Sequence, residues 1–84
     1  MVEFKKVGPN GVEGLHIGDI CRPNAEAWLN YCRGNQLLDK RGLPAVFLPQ
    51  PVISLPGHTP YDGCAMLAYP FWWWKIEELE VQVG

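Results

Sequence analysis

Nine glycines and eight prolines interrupt a chain of 84 residues, and that punctuation rules out long regular elements. Proline gives no N–H to a helix or a sheet ladder, and glycine weakens the interior of either. Short strands, tight turns and one brief helix are what such a chain can build. The densest case is LPAVFLPQPVISLPG, residues 43–57, where Pro44, Pro49, Pro51 and Pro56 break a run of β-forming residues. One continuous central strand is excluded there. The expectation is an edge strand, a kink, and a second short strand or polyproline segment.

The rest of the chain reads in the same short units. EFKKV (3–7) is a candidate edge strand ending at the turn GPNG (8–11). In GLHIGDICRP (14–23), Leu15 and Ile17 share one face of an extended chain and Ile20 resumes on the other phase after Gly18. This predicts a strand bent at the glycine. AEAWLNYCRG then carries a helix pattern over 25–33, with a long loop as the competing reading. Asn24 is the N-cap, Glu26 complements the dipole, and Gly34 is the expected left-handed terminator. Ala25, Trp28, Leu29 and Cys32 form its apolar stripe. GHTPYDG (57–63) is a loop, and DGCAMLAY is a strand apolar on both faces. A single domain over residues 1–84 is expected, mostly β, or α+β if the helix holds.

Three consecutive tryptophans, Trp72, Trp73 and Trp74, follow Pro70 and Phe71. In a strand, alternate side chains share a face. Trp72, Trp74 and Ile76 then form a wholly apolar set that should face the core. Full burial of one tryptophan removes ~150–250 Å² from water, an upper bound of about 4–6 kcal/mol. Trp73 lies on the other side with Phe71 and Lys75. Two placements are open for it: covered by Trp28 and Leu29 as a second core layer, or exposed as a binding anchor.

Charge and chemistry narrow the function. Seven basic residues against nine acidic ones, with the basic ones scattered, disfavour nucleic-acid binding, which draws its affinity from phosphate neutralisation. No apolar run reaches the ~20 residues of a membrane span, and the N-terminus does not read as a signal peptide. The expected location is therefore cytoplasmic, with no membrane partner. Cys21, Cys32 and Cys64, with His16 and His58, lack the paired spacing that seeds a zinc site, and read as buried thiols. Cys64, His58 and Asp62 do not make a credible triad, because the first sits in a packed strand and the others in a loop. Glu77, Glu78 and Glu80 read as a solvated charge run. Gly8, Gly11 and Gly14 lack the context of a phosphate loop. No catalytic residue, metal or cofactor is expected.

LHIGDICR (15–22) resembles the opening strand of small SH3-like β-barrels, and WWWKIEELE (72–80) resembles their closing strand; many small proteins of bacteriophages and prophages share the layout. The match spans about 20 of the 84 residues. The resemblance implies a small, partly open antiparallel barrel, here with one short helix near 25–33, that hosts binding rather than chemistry. The function expected is a non-catalytic protein-binding module, in its most concrete form a phage-encoded inhibitor docking on a host enzyme or defence complex. Its candidate contacts are Phe71 and Trp73, with Tyr61, Asp62 and His58 in the adjoining loop and Arg22 and Arg33 at the rim. A nucleic-acid-binding barrel and a homo-oligomeric structural or assembly component are the alternatives.

Overall fold

The computed structural model describes residues 2–7, 14–57, 63–70 and 72–83. Six strands are β1 (Phe4–Lys6), β2 (Ile20–Pro23), β3 (Gln50–Ser54), β4 (Cys64–Leu67), β5 (Trp73–Lys75) and β6 (Leu79–Gln82). One helix, α1 (Ala25–Gly34), follows β2, and a 3₁₀ turn (Ile76–Glu78) joins β5 to β6. The strands make one antiparallel sheet in the order β1-β6-β2-β3-β4-β5. With β1 and β5 at its two edges, the sheet is not closed into a barrel. The protein is a small, mostly β domain with one short helix.

The helix forms where its caps dictate. The Asn24 side chain accepts the Ala27 N–H at 2.8 Å, filling one of the orphan donors of the first turn. At the other end Gly34 stays helical, contrary to expectation. The Asn35 N–H and side-chain amide both reach the Tyr31 carbonyl, and Gln36 takes the left-handed position at φ 58°. The Leu37 N–H then returns to the Cys32 carbonyl at 2.8 Å, which closes a Schellman motif one step later than the glycine suggested. Asn24→Ala is expected to lower stability by about 1 kcal/mol, read as a shifted urea midpoint with an unchanged slope.

Two other expectations are corrected. The GLHIGDICRP stretch is a strand only from Ile20; before it lies a turn in which Gly18 adopts φ +93°. The Asp19 carboxylate accepts the His16 N–H at 2.8 Å, and Gly18 and Asp19 exchange backbone bonds of 2.9 Å with Val52. Leu15 packs on the core while Ile17 is exposed, so they do not share a buried face. In the proline-rich middle, residues 45–49 form no strand, and β3 lies inside the sheet between β2 and β4 in spite of Pro51. The missing donor is tolerated because β2 and β3 pair over only Ile20↔Pro51 and Cys21↔Gln50, while the Pro51 carbonyl still accepts from Ala68. The turns at 8–11 and 57–63 lie wholly or mostly outside the described residues.

The core sits between α1 and the sheet. Its largest fully buried side chains are Trp74, Leu67, Leu79, Val52, Cys21 and Cys32. In the β4–β5 register Ala65 faces Trp74, and its small side chain leaves room for the indole. The pleat holds over Trp73–Lys75 only; Ile76 starts the 3₁₀ turn, fixed by the Glu78 carboxylate accepting the Lys75 N–H at 3.0 Å.

Candidate functional site

The surface of interest is built from the helix outward. The Trp28 indole donates to the Ala45 carbonyl at 2.6 Å, and Phe47 meets the Trp28 ring edge-on at 4.9 Å. These contacts draw residues 45–47 against α1. The approach is set by a turn in which the Asp39 carboxylate accepts the N–H groups of Arg41 (2.8 Å) and Leu43 (3.0 Å). Those backbone donors hold the Asp39 carboxyl below its ordinary range. With Phe47 turned in, its neighbours Val46 and Leu48 turn out and are 86% and 71% exposed.

Between this segment and the Tyr69–Pro70 corner, joined by a cis peptide, lies an open groove of about 300 Å³. Trp28, Leu37, Val46, Leu48, Tyr69 and Pro70 are among its walls, with Gln50; no charged residue is among the described lining residues. Tyr69 and Leu37 are 70% and 47% exposed. Behind it stands an aromatic cluster. Tyr31 stacks on Trp28 at 5.3 Å, Trp74 tilts against both, and Trp72 meets Tyr31 edge-on at 5.2 Å. Burial pushes the Tyr31 phenol up, and the nearby Tyr69 and Cys32 push it the same way.

Of the residues anticipated as contacts, Trp73, Arg22 and Arg33 are described; Phe71, Tyr61, Asp62 and His58 lie outside the described residues. Trp73 is half-buried, paired with Met66 across β4 and on the opposite face from Trp74. Trp72, expected in the core, is 45% exposed: it precedes β5, and its ring meets Tyr31 edge-on. The Arg22 guanidinium bonds Glu80 at 2.9 Å and lies 4.1 Å from the Phe4 ring centre. Three strand spacings, about 14 Å, separate β2 from β5. Arg22 and Trp73 are therefore not brought together. Arg33 is exposed in the last turn of α1.

A second concavity, about 380 Å³, lies toward the other end of α1 among Lys6, Asn24, Glu26, Asn30, Glu77 and Glu78. It is polar and mainly acidic. Among the described residues no three His, Cys, Asp or Glu side chains converge as a metal-holding group. Cys21, Cys32 and Cys64 are buried free thiols, as anticipated. Burial, with a smaller push from Asp19, raises Cys21 to about 12; burial also raises Cys32 against the opposing Ala45 N–H. No described helix is long and apolar enough to cross a membrane.

Val46, Leu48, Leu37 and Tyr69 were missed as surface residues. The available signal was the spacing of Val46 and Leu48 around Phe47, which puts two aliphatic residues on one side of an extended chain. Compared with known proteins, the chain matches no family model, and no curated protein or solved structure is significantly similar to it.

Proposed function

We propose that this chain is a small protein-binding module that acts by contact rather than by chemistry, through the groove between residues 45–48 and Tyr69–Pro70. The observation that carries this reading is the run of outward aliphatic and aromatic side chains around an uncharged concavity. Leaving Val46 and Leu48 in water adds nothing to folding; covering them on a partner recovers about 25 cal/mol per Å². The SH3-like affinity of the sheet, and with it a phage-encoded inhibitor docking on a host enzyme or defence complex, is the finer form of the proposal. It is supported by the resemblance of segments 15–22 and 72–80. The nucleic-acid alternative is weakened because the Arg22 guanidinium is already engaged by Glu80 and Phe4.

The test is photo-crosslinking inside the source cell, with Leu48 replaced by a photoreactive phenylalanine analogue and Lys75 replaced likewise as the control. Protein adducts at position 48 that are absent at position 75 are the expected result. Adducts at neither position, or equally at both, would sink the proposal.

A further inference from the structure

Two thiols are equally hidden, Cys21 and Cys32 both being 0% exposed, but what covers them differs. Cys21 lies inside the sheet, with Gln50 and Val81 opposite it on β3 and β6. Cys32 lies on α1 beneath the connection that runs from the helix to β3, and the Ala45 N–H donates to its sulfur. No residue from 37 to 49 is buried; Leu38, Pro44 and Phe47 are half-buried and the others are exposed.

This connection shapes itself. Leu38 and Pro44 form a bridge, the Asp39 N–H reaches the Leu43 carbonyl at 2.8 Å, and the Gly42 N–H reaches the Asp39 carbonyl at 3.0 Å. With the two bonds accepted by the Asp39 carboxylate, these close the turn without help from the rest of the protein. Its attachment to α1 is concentrated on Ala45 and Phe47. The Ala45 peptide gives its carbonyl to the Trp28 indole and its N–H to Cys32, one helical turn further on, and the Phe47 ring meets Trp28 edge-on. Among the described residues no backbone hydrogen bond joins residues 38–48 to the sheet. A segment without buried residues or a ladder belongs to the low-stability end of a fold.

We infer that residues 38–48 form a strap that lifts from α1 as a unit while the sheet stays folded, uncovering Cys32 and the Trp28 ring. The strap moves as one body because the bonds that shape its turn survive when the Ala45 and Phe47 contacts part. It also gates the groove. Ala45, Val46 and Leu48 form one wall, so the groove exists only while the strap is down. A partner seated there holds the strap closed by linkage. That last step rests on the groove being a contact surface; the opening itself does not.

Alkylation of the full chain with iodoacetamide at about pH 8, read by peptide mass spectrometry, follows both thiols at once. Cys32 should be modified at least about tenfold faster than Cys21, at a rate nearly flat in dilute urea, while the Cys21 rate climbs with the slope of global unfolding. Phe47→Ala removes a strap contact outside the fully buried core and should speed Cys32 at least about fivefold. Leu79→Val, in the sheet core, should speed Cys21 and leave Cys32 unchanged, because Leu79 stays packed when the strap lifts. Equal rates with one urea slope overturn the strap, since both thiols then open only by global unfolding. A fast Cys32 indifferent to Phe47→Ala also overturns it, since something other than the strap then admits the reagent. Either failure leaves crosslinking at position 48 to decide the groove reading by itself.

Discussion

Trp74→Ala is expected to abolish cooperative folding near physiological temperature, whereas Trp72→Ala leaves a folded domain. Trp74 is 1% exposed, faces Ala65 across the sheet, and touches both Trp28 and Tyr31 on the helix. It is the largest side chain that joins α1 to the strands. Truncating a buried tryptophan costs about 3–5 kcal/mol, since the packing lost is compounded by a cavity that the neighbours fill only in part. A domain this small has a net stability toward the low end of about 5–15 kcal/mol, so most of it is removed. Trp72 is 45% exposed and makes one described ring contact, with Tyr31; its loss should cost about 1 kcal/mol. Urea unfolding followed by circular dichroism separates the two. Equal losses would mean that the triplet is not divided between core and surface.

Trp74→Phe provides a finer comparison. The Trp74 indole N–H is buried and finds no hydrogen-bond acceptor among the described residues. A phenyl ring in its place removes volume but also an unsatisfied donor, and burying such a donor costs about 1–3 kcal/mol. The phenylalanine variant should therefore lie well above the alanine variant in stability, closer to the parent than ring size alone implies.

Where a feature depends on neighbours in sequence, the residues alone foretell it. The Asn24 cap acts over three positions, and its helix forms where expected. Alternation likewise sends Trp73 to the opposite face from Trp74, and Tyr31 contacts both Trp72 and Trp74. The exposure of Trp72 was not legible, because the pleat begins only at Trp73 and ends at Lys75. The groove depends on contacts across longer spans. Val46 and Leu48 are outward because Phe47 docks on Trp28, and the facing wall at Tyr69 arrives from beyond two further strands. A proline-broken apolar run does not itself say which of its residues turn in. Arg22 illustrates the same limit: its partner Glu80 is 58 residues away, so a rim role was a natural reading until the β2–β6 pairing appeared.

Alkaline pH should erode stability through Cys21. This thiol is fully buried in β2, with Gln50 and Val81 opposite it on the flanking strands, and burial followed by the Asp19 charge raises it to about 12 from an ordinary 9.0. Between those values the unfolded chain has lost the proton while the folded protein retains it. The folded state then binds more protons, so stability falls as pH rises, by about 1.4 kcal/mol per pH unit for this one group. Its contribution is complete below about pH 9 and is lost progressively toward pH 12. Cys32 and Tyr31, both raised by burial, add to the slope in the same direction. Cys21→Ala removes one titrating group and should flatten the decline of the urea midpoint with pH without abolishing it. A variant that declines as steeply as the parent would show that Cys21 ionises in the folded protein as readily as in the unfolded chain, contrary to its burial between β3 and β6.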